Sequence, residues 1–223
     1  KYVGVVNWFA ETGSEGAARL TFADGTTYTV KADTLVTVEE NSVERDRTRV
    51  GVHISSGAVD LATGTWESPA SKAEVSFENA KASLHQNSRA AVRSEPSKNE
   101  HEITVAAGGA ELQRGEEKVE IGKWERVSFP TAGQLTKTNV LAPPDLAEPV
   151  NLQPLFVPES RNATVRFEWK PVPGAVAYQV RVSNNSMFAK LAADKRATGT
   201  SLEVNGLDAG DYFKQELFDP IGM

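Results

Sequence analysis

The sequence predicts an all-β protein in two domains, a duplicated β domain with solenoid or barrel-like winding followed by a β-sandwich. Three observations predict it. Short runs of alternating apolar and polar residues fill positions 2–129, bounded by Asp-Gly, Ser-Gly and Gly-Gly pairs, which is the strand and tight-turn signal. The stretches 52–61 and 103–112 superpose without a gap at an offset of 51 residues, with branched residues, small residues, Gly57 against Gly108, an acid and a leucine in step. Repetition at that period points to one supersecondary unit used twice. Prolines then cluster between Thr131 and Pro158, where fixed φ and missing amide donors favour an extended connection and a domain boundary.

Taken in order, residues 19–22 and 27–30 alternate cleanly around Asp24-Gly25, and glycine supplies the positive φ a hairpin turn needs. Further strands are expected at 34–38, 50–54, 119–121 and 125–129, about a dozen in this half. A second matched pair lies upstream: 18–22 against 73–77, and 30–38 against 84–92 through Asp33-Thr34 and Asn87-Ser88. The alanine-rich span 70–91 lacks helical periodicity. Charged stretches at 39–49 and 94–102 read as exposed loops at equivalent places in the repeat. The expected domains are therefore 1–130, a proline-rich linker at 131–158, and 159–223 with strands at 163–169, 177–182 and 201–204 around a Pro171-Val-Pro-Gly174 turn.

Composition narrows the function. Hydrophobic residues at 39% and charged residues at 24% suffice for buried cores, and a net charge of −6 argues against a phosphate-binding surface, so nucleic acid is not an expected partner. The absence of cysteine removes disulfides, thiolate nucleophiles and thiolate metal sites. No apolar run is long enough for a spanning helix, which needs about 20 residues. The start at Lys1 without methionine reads as a processed or excised segment.

Candidate chemistry is sparse. His53, His85 and His101 lack any metal-ligand spacing, and His53, between Val52 and Ile54 on a strand, points away from the core. Glu39-Glu40 and Glu116-Glu117 could furnish a glycosidase pair, but adjacent carboxylates on a strand diverge. No Gly-x-Ser-x-Gly elbow is present, and Gly57, Gly108 and Gly109 read as turn or close-packing glycines. Catalytic residues, metal and cofactor are therefore expected to be none. Among Trp8, Trp66 and Trp124, the loop-like setting of Trp66 makes it the candidate ligand-binding residue, since flat aromatic surfaces recognise sugars and peptides. Trp169 and Tyr178 read as sandwich core, and the sequons at Asn162 and Asn184 as chance patterns.

The first domain resembles the FecR domain family of bacterial envelope proteins, through Phe22-Ala-Asp-Gly25, Thr34-Leu-Val-Thr-Val38, Ser56-Gly57-Ala-Val59, Gly108-Gly-Ala-Glu-Leu112 and Val119-Glu-Ile-Gly122. The second resembles a fibronectin type III or immunoglobulin-like module, through Trp169-Lys-Pro-Val-Pro-Gly174-Ala, Tyr178-Gln-Val-Arg-Val-Ser183, Phe188 and Leu207-Asp-Ala-Gly210-Asp-Tyr212. Only residues 9–18 stand where the family carries a longer opening, and Lys214 and Glu216 fall where a last strand would be apolar, so that strand would fray or slip to turn Phe213 and Leu217 inward.

What these resemblances imply is a non-enzymatic structural or protein-interaction module in the periplasm or at the cell surface of a bacterium. It would dock or scaffold an envelope protein. In the family's namesakes such a domain relays the state of an outer-membrane receptor to an inner-membrane anti-sigma segment. Two alternatives stand beside this: recognition of peptidoglycan or another cell-wall glycan through Trp66, and membership of a large envelope assembly as a homo-oligomer.

Overall fold

The alternating runs become strands because each ribbon buries one face and wets the other. A computed structural model describes residues 8–44, 47–66, 68, 70–156 and 162–217, in two units, Lys1–Asn139 and Val140–Met223.

In chain order the first unit holds β1 (Trp8–Thr12), β2 (Ala18–Thr21), β3 (Thr27–Val30), β4 (Thr34–Glu44), β5 (Arg47–Ala62), β6 (Lys72–Phe77), β7 (Ala80–Leu84), β8 (Arg89–Glu95), β9 (Glu100–Ala107), β10 (Ala110–Arg114), β11 (Glu117–Ile121), β12 (Glu125–Phe129) and β13 (Thr136–Asn139). They form one continuous 13-stranded sheet that curls on itself through β5. The first part of β5 pairs with β4 and, in parallel, with β6; from Gly57 onward it pairs with β3 and β8. One arm of the sheet thus runs β1-β4-β5-β6-β7-β10-β11 and the other β2-β3-β5-β8-β9-β12-β13. Between the arms lies one apolar core containing Val36, Val52, Ile54, Phe77 and Leu112 from the first arm and Tyr28, Val59, Val92, Ile103 and Val127 from the second. Each such fully buried aliphatic side chain contributes roughly 1.5–3 kcal/mol relative to exposure.

Two latches with the same wiring fix the winding. Gly57, at φ +97°, lets β5 pass Thr34 so closely that the Ala58 amide donates to Thr34 Oγ1 at 2.9 Å, while the Thr34 amide donates to Thr12 Oγ1 at 3.1 Å. Gly108, at φ +68°, does the same beside Ser88: the Gly109 amide donates to Ser88 Oγ at 3.0 Å and the Ser88 amide to Thr63 Oγ1 at 2.9 Å. The hydroxyls of Thr12 and Thr63 donate onward to the Lys31 and His85 carbonyls. Asp33 and Asn87 both take left-handed φ, 52° and 54°, as short polar residues do most readily. The residues matched in the sequence therefore occupy matched positions in the hydrogen-bond network.

Two expected loops are largely strand. Residues 39–44 prolong β4 and 47–49 begin β5, with Ser42 opposite Arg49 and Val43 opposite Thr48. One face here is only half-buried and carries Glu40, Ser42 and Thr48, so the sequence loses the apolar beat. In 94–102, a 3₁₀ turn at Pro96–Lys98 separates β8 from β9, and Ser94 and His101 are buried opposite each other. The expected linker also carries β13, which pairs with β12.

The second unit holds β14 (Leu146–Glu148), β15 (Ala163–Trp169), β16 (Tyr178–Ser183), β17 (Ala193–Ala197), β18 (Ser201–Leu207) and β19 (Phe213–Leu217), in two three-stranded sheets, β14-β15-β18 and β17-β16-β19. Phe167, Trp169, Val204 and Leu207 from one sheet pack with Tyr178, Val180 and Val182 from the other. The Tyr178 hydroxyl accepts the Val172 amide at 3.0 Å, tying the Pro171–Gly174 turn to the core. β19 is paired with β16, Lys214 standing opposite Val182 and Glu216 opposite Val180.

Candidate interaction surfaces

Of the residues that carried candidate chemistry, His53 and Glu39 meet at the Ser76 hydroxyl, in an arrangement that does not activate it. His53 Nδ1 lies 3.0 Å from Ser76 Oγ, and that hydroxyl gives its single proton to Glu39 Oε2 at 3.0 Å. With its proton committed to a carboxylate, Ser76 accepts from His53, the reverse of what an activated nucleophile needs. Glu40 accepts from Ser42 at 3.2 Å, and Glu117 lies 3.4 Å from Arg114. His85 is exposed, 3.9 Å from Glu120. Among the described residues no group of three His, Asp or Glu side chains could hold a metal ion.

Trp66 lies in the connection from β5 to β6 and is half-buried. Its amide reaches Gln86 Oε1 at 3.4 Å, and its indole Nε1 is sealed from solvent with no hydrogen-bond partner among the described residues. Its neighbours Glu67 and Pro69 lie outside the described residues. Trp124 is half-buried at φ +62°, with Lys123 Nζ 5.6 Å from its ring centroid.

Trp8 and Phe9 are 68% and 75% exposed. Both lie on β1, whose only partner among the described strands is β4, with Trp8 opposite Val38 and Phe9 opposite Thr37. A free strand edge offers unpaired amide and carbonyl groups, and β1 carries only one charge, Glu11, to guard it.

A polar cleft of about 440 Å³, lined among others by Arg93, Asn99, Glu100, Glu102, Ser128 and Thr136, opens between the β8–β9 hairpin and β12. Its floor is built from residues that sequence reasoning left in a loop or unremarked. His101, 1% exposed, contacts Ser94 Oγ at 3.0 Å and Thr131 Oγ1 at 3.1 Å and stacks on Phe129 with centroids 5.5 Å apart. From the other side Arg114 places its guanidinium carbon 5.1 Å from the Phe129 centroid and donates to the Pro130 and Gly133 carbonyls. The signal for this floor was the alternation through Ser94 and across Pro96 to His101, masked by the charges around it.

Two carboxylates of this unit, Glu95 beside the β8–β9 turn and Glu125 at the far end of β12, are held below the usual carboxylate range. For Glu95 the causes are first the hydrogen bond from Lys98 and then the charge of Arg93; for Glu125 they are first the hydrogen bond from Lys137 and then the Gly122 amide. Tyr28 moves the opposite way, its phenol pushed well above its usual value by burial, while its hydroxyl donates to the Glu74 carbonyl at 2.9 Å.

Residues 9–111 match the FecR protein family. That region runs from the exposed β1 edge through both latches. In solved structures, a putative anti-sigma factor from Parabacteroides distasonis shares the fold with a TM-score of 0.51 at 15% identity, over 60% of this chain and 61% of that one. A second crystal structure of a putative anti-sigma factor from the same organism gives 0.49 at 15% identity, over 60% of each chain. The shared part is about three-fifths of the neighbour's length, and at this identity the likeness is one of fold. No curated protein matches the chain.

Proposed function

We propose that this chain is a non-catalytic docking module of the bacterial envelope, on the periplasmic side or at the cell surface, whose FecR-like unit holds another envelope protein. The unit is read as two copies of one β motif, which would make it a rigid platform. The observation that carries the docking reading is β1, which has β4 as its only partner among the described strands and bears the exposed Trp8 and Phe9, at the start of the region that matches FecR. Such an edge accepts a partner strand through main-chain hydrogen bonds, with exposed aromatics adding contact area.

The test is capture of a partner from bacterial envelope extract with the whole chain as bait, followed by reconstitution with that purified partner. Phe9→Lys places a guarding charge on the edge and is expected to abolish capture, whereas Trp66→Ala leaves it intact. Equal capture by wild type and Phe9→Lys would overturn the assignment of the edge.

A second reading, recognition of cell-wall glycan, draws on the polar cleft beside Arg93 and Ser128. Amides, hydroxyls and charged groups around an apolar floor suit a sugar. Muropeptide fragments that shift the amide resonances of Asn99, Ser128 and Thr136 would favour it. Loss of tryptophan quenching in Trp66→Ala would instead move the glycan to Trp66.

A further inference from the structure

After β14, residues 149–156 make a turn that exposes apolar side chains in a way no other described segment of the second unit does. Val150, Leu152, Leu155 and Phe156 are 57%, 93%, 45% and 97% exposed. The turn is built: the Val150 amide donates to Gln153 Oε1 at 2.8 Å, the Gln153 amide donates to the Val150 carbonyl at 3.2 Å, and Leu152 sits at φ +61°. A leucine in the left-handed region costs on the order of 1 kcal/mol, so the conformation that thrusts Leu152 outward is held against a local penalty.

We propose that this turn is a self-association surface, and that its occupant is the same turn of a second copy of this chain. Area argues for it. Two nearly bare large side chains and two half-bare ones present on the order of 500 Å² of apolar surface, near the upper end of what monomers leave uncovered. Two copies face to face could bury up to about 1,000 Å² of apolar surface from these side chains, where specific interfaces begin. Charge argues for it as well. Residues 149–156 carry no ionisable side chain in a chain of 24 basic and 30 acidic residues. A partner of opposite charge would find nothing there to pair with, while two copies at −6 each can approach with least repulsion through a neutral contact. The inference does not rest on the β1 edge, which lies in the other unit.

The experiment is sedimentation equilibrium of the whole chain from micromolar to near-millimolar concentration, with wild type, Leu152→Ser/Phe156→Ser and Trp8→Ser/Phe9→Ser. Circular dichroism and cooperative thermal unfolding confirm folding, and both Leu152 and Phe156 are too exposed for their loss to disturb the core. Wild type is expected to dimerise reversibly, the turn variant to weaken the dimer by about 100-fold or more, and the β1 variant to dimerise as wild type does. A wild type that stays monomeric throughout, a turn variant that dimerises equally well, or loss of the dimer only in the β1 variant would each overturn the proposal. The last of these would still leave the docking role of β1 to its own capture assay.

Discussion

Gly57 and Gly108 show how much of the winding depends on single atoms. An added Cβ at Gly57 would lie 2.6 Å from Thr34 Cα, and one at Gly108 would lie 2.8 Å from Ser88 Cα, backbone atoms that cannot swing aside. Gly25 has a comparable φ of +82°, yet nothing lies within 4 Å of its missing side chain. Alanine should therefore cost about 1 kcal/mol at Gly25, from the backbone alone, and about 3 kcal/mol or more at Gly57 and Gly108, where overpacking is added. Urea unfolding of the three variants checks this, and equal losses at all three positions would show that the close approach is not needed. The glycines were legible in sequence because their two settings repeat. The hydroxyls they approach were visible only as a matched pair, Thr34 and Ser88, with no sign that they accept buried amides.

The β8–β9 hairpin extends the argument from a residue to an element. Glu95 closes its turn by pairing with Lys98 and Arg93, and those partners hold its carboxyl below the ordinary range. A depressed folded-state pKa means that the stabilisation is complete above the unfolded value of about 4.3 and is lost as pH falls through the lower folded value. Amide exchange at Asn99 and Glu100 should therefore quicken below about pH 4, and Lys98→Ala should move the Glu95 titration upward toward the ordinary value by NMR. An unchanged titration in Lys98→Ala would refute the assigned cause. The segment after β12 depends on the same end of the unit. Arg114 clamps it through Phe129, Pro130 and Gly133, so Arg114→Ala should cost about 1–2 kcal/mol and raise exchange at Thr131. Both devices were hidden in the sequence because charged residues surround them. The ends of β4 and β5 at 39–44 and 47–49 were hidden for a related reason, since their half-buried positions hold Glu40, Ser42 and Thr48 rather than apolar residues.

For the whole molecule, the all-β class and the core positions were legible because alternation records which face is buried, as at Val52, Ile54, Ile103 and Val105. The way β5 serves two arms of one curled sheet was not, because strand order is fixed by long-range pairing that no local pattern encodes. The exposed surfaces were the least legible: Trp66 stood out by its loop-like neighbours, whereas Phe9 and Phe156 look in sequence like any strand-forming aromatic. Each apolar cluster draws on one unit alone, Ile54 belonging to the first and Phe167 to the second. Cores that share no side chain should melt as separate cooperative blocks, and truncation within one should be felt there first. Ile54→Ala is expected to cost about 3 kcal/mol and to lower the first unit's calorimetric transition by about 10 °C, leaving the second unit's transition in place. Phe167→Ala should do the converse. If either variant shifts both transitions by the same amount, the two cores are coupled and the chain unfolds as one block.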